Sequence, residues 1–193
     1  VYGCGHLDEN STWLSRFEKM SPEQRARWKK FFDPSQYLPG VSCPILFMNG
    51  TNDFAYPMDS YQKSYRDVKV PVDLCVTVRM PHGHQQGWAP KEIGLYVDSV
   101  VRGGVPLAKV GKLETTEGQA KAKVDAKAPV VKGQLHYATD QGPWQKREWK
   151  SVDAKLADGQ VSGEIPKERP IVYFLTVTDD RGAVSSSEHA ELK

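Results

Sequence analysis

The sequence predicts an α/β region followed by an all-β region, and two observations carry that reading. Up to about residue 104, strand-sized apolar runs alternate with stretches of helical period. From Ala108 onward the chain is a succession of short, often alternating segments separated by Gly, Pro and Asp. The shift in composition near residue 105 divides the chain into residues 1–105 and 106–193.

In the first region, "SPEQRARWKKFF" (21–32) opens with Ser21 as N-cap, Pro22 at the first helical position and Gln24 where a capping box needs it. Ala26, Trp28, Phe31 and Phe32 form an apolar side, and "DP" at 33–34 stops the helix. "CPILFMNG" (43–50) is a continuous apolar run closed by Asn-Gly and reads as a strand covered on both faces. "MDSYQKSYRDV" (58–68) has helical period, and "DLCVTVRM" (73–80) is the next strand. "PKEIGLYVDSVVRGG" (90–104) is a helix with Pro90 near its first turn and Gly103 at its end. Strand, helix, strand, helix implies parallel strands joined by right-handed crossovers. Ligands then sit at the carboxyl ends of the strands, in "NGTNDFAYP" and "PHGHQQGW".

The second region fits about seven antiparallel strands, the pattern of an immunoglobulin-like or fibronectin-like β-sandwich. Trp144 and Trp149 read as packing residues of a sheet face or loop rather than as a carbohydrate platform. The Lys-Ala alternation over 120–128 reads as one solvated strand face.

With 26 basic against 24 acidic residues, the net charge of +2 leaves no footprint for nucleic acid. No apolar run approaches a membrane span. Cys4, Cys43 and Cys75 border or occupy apolar segments without CxxC spacing, so buried free thiols are expected, not zinc ligands or a disulfide. The chain starts at Val1, inside the strand-like "VYGCG", and is expected to be a cleaved or truncated product.

Asp53 follows the first apolar strand, and His82 and His84 follow the second. An Asx turn would explain Asp53 alone, and a solvated loop would explain either histidine. Together they carry more weight, because adjacent parallel strands end on the same side of a sheet. Their loops can then set a carboxylate against an imidazole, fixing its tautomer and stabilising its cation.

The order strand, "GTND", helix, strand, histidine loop, closing helix resembles the last third of an α/β-hydrolase. More narrowly, "WKKFFDPSQYL", "CPILFMNGTNDFAYPMDSYQKSY" and "MPHGHQQGWAPKEI" resemble acetyl-xylan-esterase-like and dienelactone-hydrolase-like proteins and the PhoPQ-activated pathogenicity-related group. The resemblance covers roughly residues 1–104. It implies that residues 1–105 form the C-terminal third of a hydrolase sheet with covering helices; the sandwich read for 106–193 matches only more loosely, in that some such hydrolases carry a C-terminal accessory domain. It also implies that Asp53 is the acid of a catalytic triad and that His82 or His84 is the base. His84 is preferred, since its place ahead of Pro90 and the closing helix resembles that of the base in esterase-like members. His82 is then a loop or substrate contact, and Phe54, Tyr56 and Trp88 are expected to line the substrate.

One part of that pattern is missing. No G-x-S-x-G occurs in the 193 residues, and around Cys4 the elbow's glycine positions hold Tyr2 and His6. The nucleophile is expected from polypeptide upstream of Val1 or from a second chain, and this chain by itself is not expected to turn over an ester.

The expected function is thus part of a serine-dependent carboxylic-ester hydrolase acting on a small ester or a carbohydrate ester such as acetylated xylan, with no cofactor. A peptidase of the same fold is the nearby alternative, and a non-catalytic binding or structural protein on a degenerate scaffold is the distant one. A Zn or Fe site built from His82, His84 and Asp53 is a lesser reading.

Overall fold

A computed structural model describes residues 1–193. The chain opens with irregular backbone and the single turn α1 (Leu14–Phe17), then α2 (Pro22–Phe32). Ser21 caps α2 as its sequence dictates: its hydroxyl accepts the Gln24 N–H while the Gln24 side chain accepts the Ser21 N–H. Two 3-10 turns, Pro34–Gln36 and Leu38–Gly40, lead into β1 (Ile45–Asn52). Then come α3 (Met58–Asp67), β2 (Val72–Pro81), the short α4 (His84–Trp88) and α5 (Lys91–Arg102).

β1 and β2 pair in parallel through α3. On its other edge, β1 is met by the start of the chain: the Met48 N–H donates to the Val1 carbonyl, and the Val1 amine donates to Leu46 O. β1 is buried on both faces. Phe47 packs with Phe17, Tyr61 and Tyr65, while Leu46 and Met48 pack with Cys75, Tyr96 and Leu107.

The remaining elements are strands: β3 (Lys109–Val110), β4 (Glu114–Thr116), β5 (Gln119–Asp125), β6 (Val130–Ala138), β7 (Lys150–Ala157), β8 (Gln160–Glu164), β9 (Ile171–Asp179), β10 (Val184–Ser186) and β11 (Ala190–Leu192). They form one antiparallel sheet in the order β10-β9-β6-β7-β8-β5-β3, with β11 also on β9 and β4 also on β5. The sheet coils until its ends approach, and the Tyr173 hydroxyl of β9 meets the Thr115 hydroxyl of β4 at 2.5 Å. Leu135, Val161, Tyr173, Leu175 and Val177 fill the interior.

This corrects the expected fold class. The parallel part comprises two strands, and no α/β-hydrolase sheet is formed. The second region is a single continuous sheet, nearly closed into a barrel, in place of an immunoglobulin-like or fibronectin-like sandwich of two sheets. Alternating strands bury one face in either architecture, so their pattern does not distinguish stacking from coiling.

The expected boundary at 105/106 falls in the connection between α5 and β3. Two cores nevertheless join the regions. Met58 and Val76 pack with Ala138, Trp144, Trp149 and Phe174, and the cluster of Leu46, Met48 and Cys75 includes Ala183. Side chains reinforce this joint: Ser186 Oγ accepts the Val76 N–H, Glu92 Oε1 accepts the Val184 N–H, and Asn52 donates to the carbonyls of Gln145 and Arg147. Cys4 and Cys75 are buried free thiols, whereas Cys43, expected to be buried, is exposed in the turn before β1. No helix is long and apolar enough to cross a membrane.

Candidate functional site

The register of β1 on β2 builds the site. It runs evenly from Ile45↔Val72 to Gly50↔Thr77, then shifts so that Asn52 pairs with Pro81. The next residue on each strand is therefore Asp53 and His82, side by side at the carboxyl end of the pair. Asn49 holds the first loop, accepting the Gly50 N–H and donating to the Tyr56 carbonyl. Arg79, at φ 60°, absorbs the shift in β2, and its N–H donates to Thr51 Oγ1.

Asp53 is 1 % exposed, and its carboxylate is fully used. Oδ1 accepts the N–H groups of Ala55 and Tyr56 at 2.7 and 2.8 Å. Oδ2 accepts the Tyr2 hydroxyl at 2.9 Å and faces His82 Nδ1 at 3.0 Å. With a carboxylate as its partner, Nδ1 carries the proton and Nε2 is left as the basic nitrogen. The Asx turn and the acid–imidazole pair are thus made by opposite oxygens of one carboxylate.

Tyr2 is the site residue that the sequence reading missed. Its hydroxyl donates to Asp53 Oδ2, accepts the Gly83 N–H at 3.1 Å and lies 3.3 Å from His82 Nδ1. Its ring stacks on the imidazole with centroids 5.5 Å apart and planes 18° apart. Burial, with the hydrogen bond given to Asp53, pushes the Tyr2 phenol up to about 12 and keeps it a donor at neutral pH. No local motif flags Tyr2, because the contact spans 51 residues.

The other expected residues divide. Phe54 and Tyr56 set their edges against His82 at 5.2 and 5.1 Å. His84, preferred as the base from sequence, opens α4 and is exposed; its ring meets Trp88 at 5.9 Å. Trp88 is 77 % exposed, and its ring partner is His84. The partner of Asp53 is accordingly His82, the alternative base or loop contact of the sequence reading, and not the preferred His84. No group of three or more His, Cys, Asp or Glu side chains comes together as a metal-ligand set, so His82, His84 and Asp53 do not assemble one. Burial pushes the Cys4 thiol well above its ordinary range, which disfavours the thiolate form.

A two-stranded parallel unit fused to a coiled antiparallel sheet, with an aspartate–histidine pair at its strand ends, defines the molecule. The family model for the PhoPQ-activated pathogenicity-related protein matches residues 16–147, and the chain belongs to that family. Of the groups that the sequence resembles, this is the one shown, and no hydrolase or esterase family is among the matches. No curated protein matches the chain.

Among solved structures, OgpA from Akkermansia muciniphila is 17% identical at a TM-score of 0.33, over 46% of this chain and 28% of OgpA. Pectate lyase Pel3 from Pectobacterium carotovorum is 13% identical at 0.28, over 44% of this chain and 26% of Pel3. The superoxide reductase (neelaredoxin) from Ignicoccus hospitalis is 12% identical at 0.32, over 51% of this chain and 88% of that protein. The chain thus spans under a third of the length of the first two.

Proposed function

We propose that the chain supplies the acid and the base of a carboxylic-ester hydrolase, with Asp53 orienting His82. The observation that supports this is the 3.0 Å contact between Asp53 Oδ2 and His82 Nδ1, at the end of two parallel strands, with every other acceptor position of Asp53 satisfied. A carboxylate so fixed holds one imidazole tautomer and offsets the charge of the imidazolium without itself taking the proton.

In this reading a serine hydroxyl from polypeptide outside residues 1–193 attacks the ester carbonyl carbon and gives its proton to His82 Nε2. Collapse of the tetrahedral adduct breaks the bond to the alcohol oxygen, which takes that proton. Water then repeats the sequence on the acyl-serine, releasing the carboxylic acid and restoring the serine. His84 takes no part.

The test is hydrolysis of p-nitrophenyl acetate by the chain alone and by the chain joined to whatever polypeptide its coding sequence places before Val1, each beside its Asp53→Asn, His82→Ala and His84→Ala forms. No hydrolysis is expected of the chain alone; in the extended protein, losses of about 10²-fold or more are expected for the first two substitutions and none for the third. Equal rates in all forms of the extended protein, or loss only with His84→Ala, would overturn the reading. Lost stability without any hydrolysis would favour a purely structural Asp53–His82 brace.

A further inference from the structure

Beside the Asp53–His82 pair lies a cavity of about 390 Å³. Trp13, Trp28, Phe32 and Phe47 form its walls, and Tyr2 and Tyr56 line the side next to His82. These two tyrosines belong to both places, since each packs against the imidazole and lines the cavity. Ten of the twelve lining residues are hydrophobic, and none is Asp, Glu, Lys, Arg or His. The Tyr2 hydroxyl is already committed to Asp53 and Gly83.

We propose that this cavity binds an uncharged aromatic ring, and that the ring is part of the ester on which Asp53 and His82 act; the second clause rests on the hydrolase reading above. The volume is within the range of small-molecule sites, roughly 300–1,000 Å³. Aromatic walls favour a flat ring through edge and offset contacts. A sugar ring is disfavoured, because each hydroxyl would give up water with almost no partner to replace it. The acetylated carbohydrate considered from sequence therefore fits this cavity poorly. Three larger hollows on the barrel, of about 510, 410 and 640 Å³, carry basic and acidic residues and share no residue with the pair.

The rim is the side of the cavity most open to change. Trp28 packs on Phe17 at 4.9 Å and on Phe32 at 5.8 Å, and Phe32 is 66 % exposed at the rim. No residue of α2 is fully buried, and Phe32 is the less costly of the two to change, since Trp28 also packs against the buried cluster around Phe17 and Phe47.

Calorimetric titration with 2-naphthol, and with methyl glucoside as a polar comparator, tests the site in the absence of turnover. Saturable binding of 2-naphthol and no measurable binding of the glucoside are expected. Trp28→Ala and Phe32→Ser are each expected to weaken the naphthol affinity by about tenfold or more, while His84→Gln, at an exposed residue outside the cavity lining, keeps it. Should Trp28→Ala fail to fold, Phe32→Ser decides, because the exposed rim contributes little to folding. Absence of saturable binding, or equal binding in the two cavity variants, overturns the cavity assignment whatever esters are hydrolysed. Naphthol bound as expected, with no hydrolysis of 2-naphthyl acetate by the forms tested above, upholds the cavity and overturns the hydrolase reading instead.

Discussion

His82 Nδ1 lies 3.0 Å from Asp53 Oδ2 across a separation of 29 residues, because the register of β1 on β2 ends at Asn52 and Pro81. The two side chains follow their strands immediately, so the contact is set by backbone pairing and not by a flexible loop. Oδ2 also accepts the Tyr2 hydroxyl, which ties the start of the chain to the same carboxylate.

Asp53→Asn tests how much that convergence contributes. The carboxylate accepts from Ala55 N, Tyr56 N, Tyr2 Oη and the imidazole. An amide has one oxygen, so at least one buried donor must face its NH₂ group. A cost on the order of 2 kcal/mol is expected, read as a melting temperature lower by roughly 4–8 °C. Nitrogen-15 shifts of His82 should also show Nδ1 losing its fixed proton. An unchanged melting temperature together with an unchanged tautomer would show that Asp53 does not govern the imidazole.

Local chemistry was legible and long-range register was not. The capping box of Ser21 and Gln24, the apolar strand before Asn49, and Asp53 in its turn are all set by neighbours in sequence. The choice of His82 over His84 depends on which residue of β2 stands opposite Asn52, and a two-residue error there selects the wrong histidine. Tyr2 was hidden for the same reason, since its partners are Asp53 and Gly83. The barrel was misread as a sandwich because segments such as "QAKAKVD" alternate in the same way in either form, and coiling comes from twist accumulated over several strands.

Gly50→Ala is expected to be among the most damaging single changes near the site. A Cβ at Gly50 would lie 1.9 Å from the Met80 carbonyl oxygen and 2.7 Å from its carbon, and both are backbone atoms. The chain cannot make room without parting β1 from β2 where the register shifts. A loss on the order of 4 kcal/mol is expected in urea denaturation. Wild-type stability would show that the strand ends separate freely, which would also deprive the Asp53–His82 contact of its basis.

Acid should weaken the fold through two buried histidines. Burial, then Lys132, holds His136 at about 4, with its ring nitrogens engaged by Ser151 Oγ and Thr176 Oγ1. Burial, then Arg66 and Arg147, holds His189 at about 3, and its Nδ1 has no partner. Both values lie below the ordinary 6.5, so the unfolded chain takes up protons first as the pH falls. Their contribution is complete above pH 6.5 and is lost on acidification toward pH 4 and 3. By pH 4.5 the loss is on the order of 2 kcal/mol from each. Denaturation at pH 7.5 and 4.5 checks this, and His189→Leu should flatten the dependence. An equal slope in that variant would remove His189 from the account.

Closure of the barrel rests in part on one hydroxyl pair. Tyr173 is fully buried on β9, near one end of the sheet, and its hydroxyl meets that of Thr115 on β4, at the other end, at 2.5 Å. Between these strands lie β6, β7, β8 and β5, so no backbone ladder joins them directly. Removing one hydroxyl leaves the other without its partner, whereas removing both leaves neither group stranded. Tyr173→Phe and Thr115→Val should therefore each cost about 1 kcal/mol, and the double variant should cost less than their sum by about 1 kcal/mol. A double-mutant cycle in denaturant measures that coupling. Strict additivity would mean that the apolar interior of Leu135, Val161, Leu175 and Val177 holds the ends together without this bond. Coupling of the expected size would make the Tyr173–Thr115 contact a polar fastening between the two ends of the sheet that can be removed without touching a strand pair.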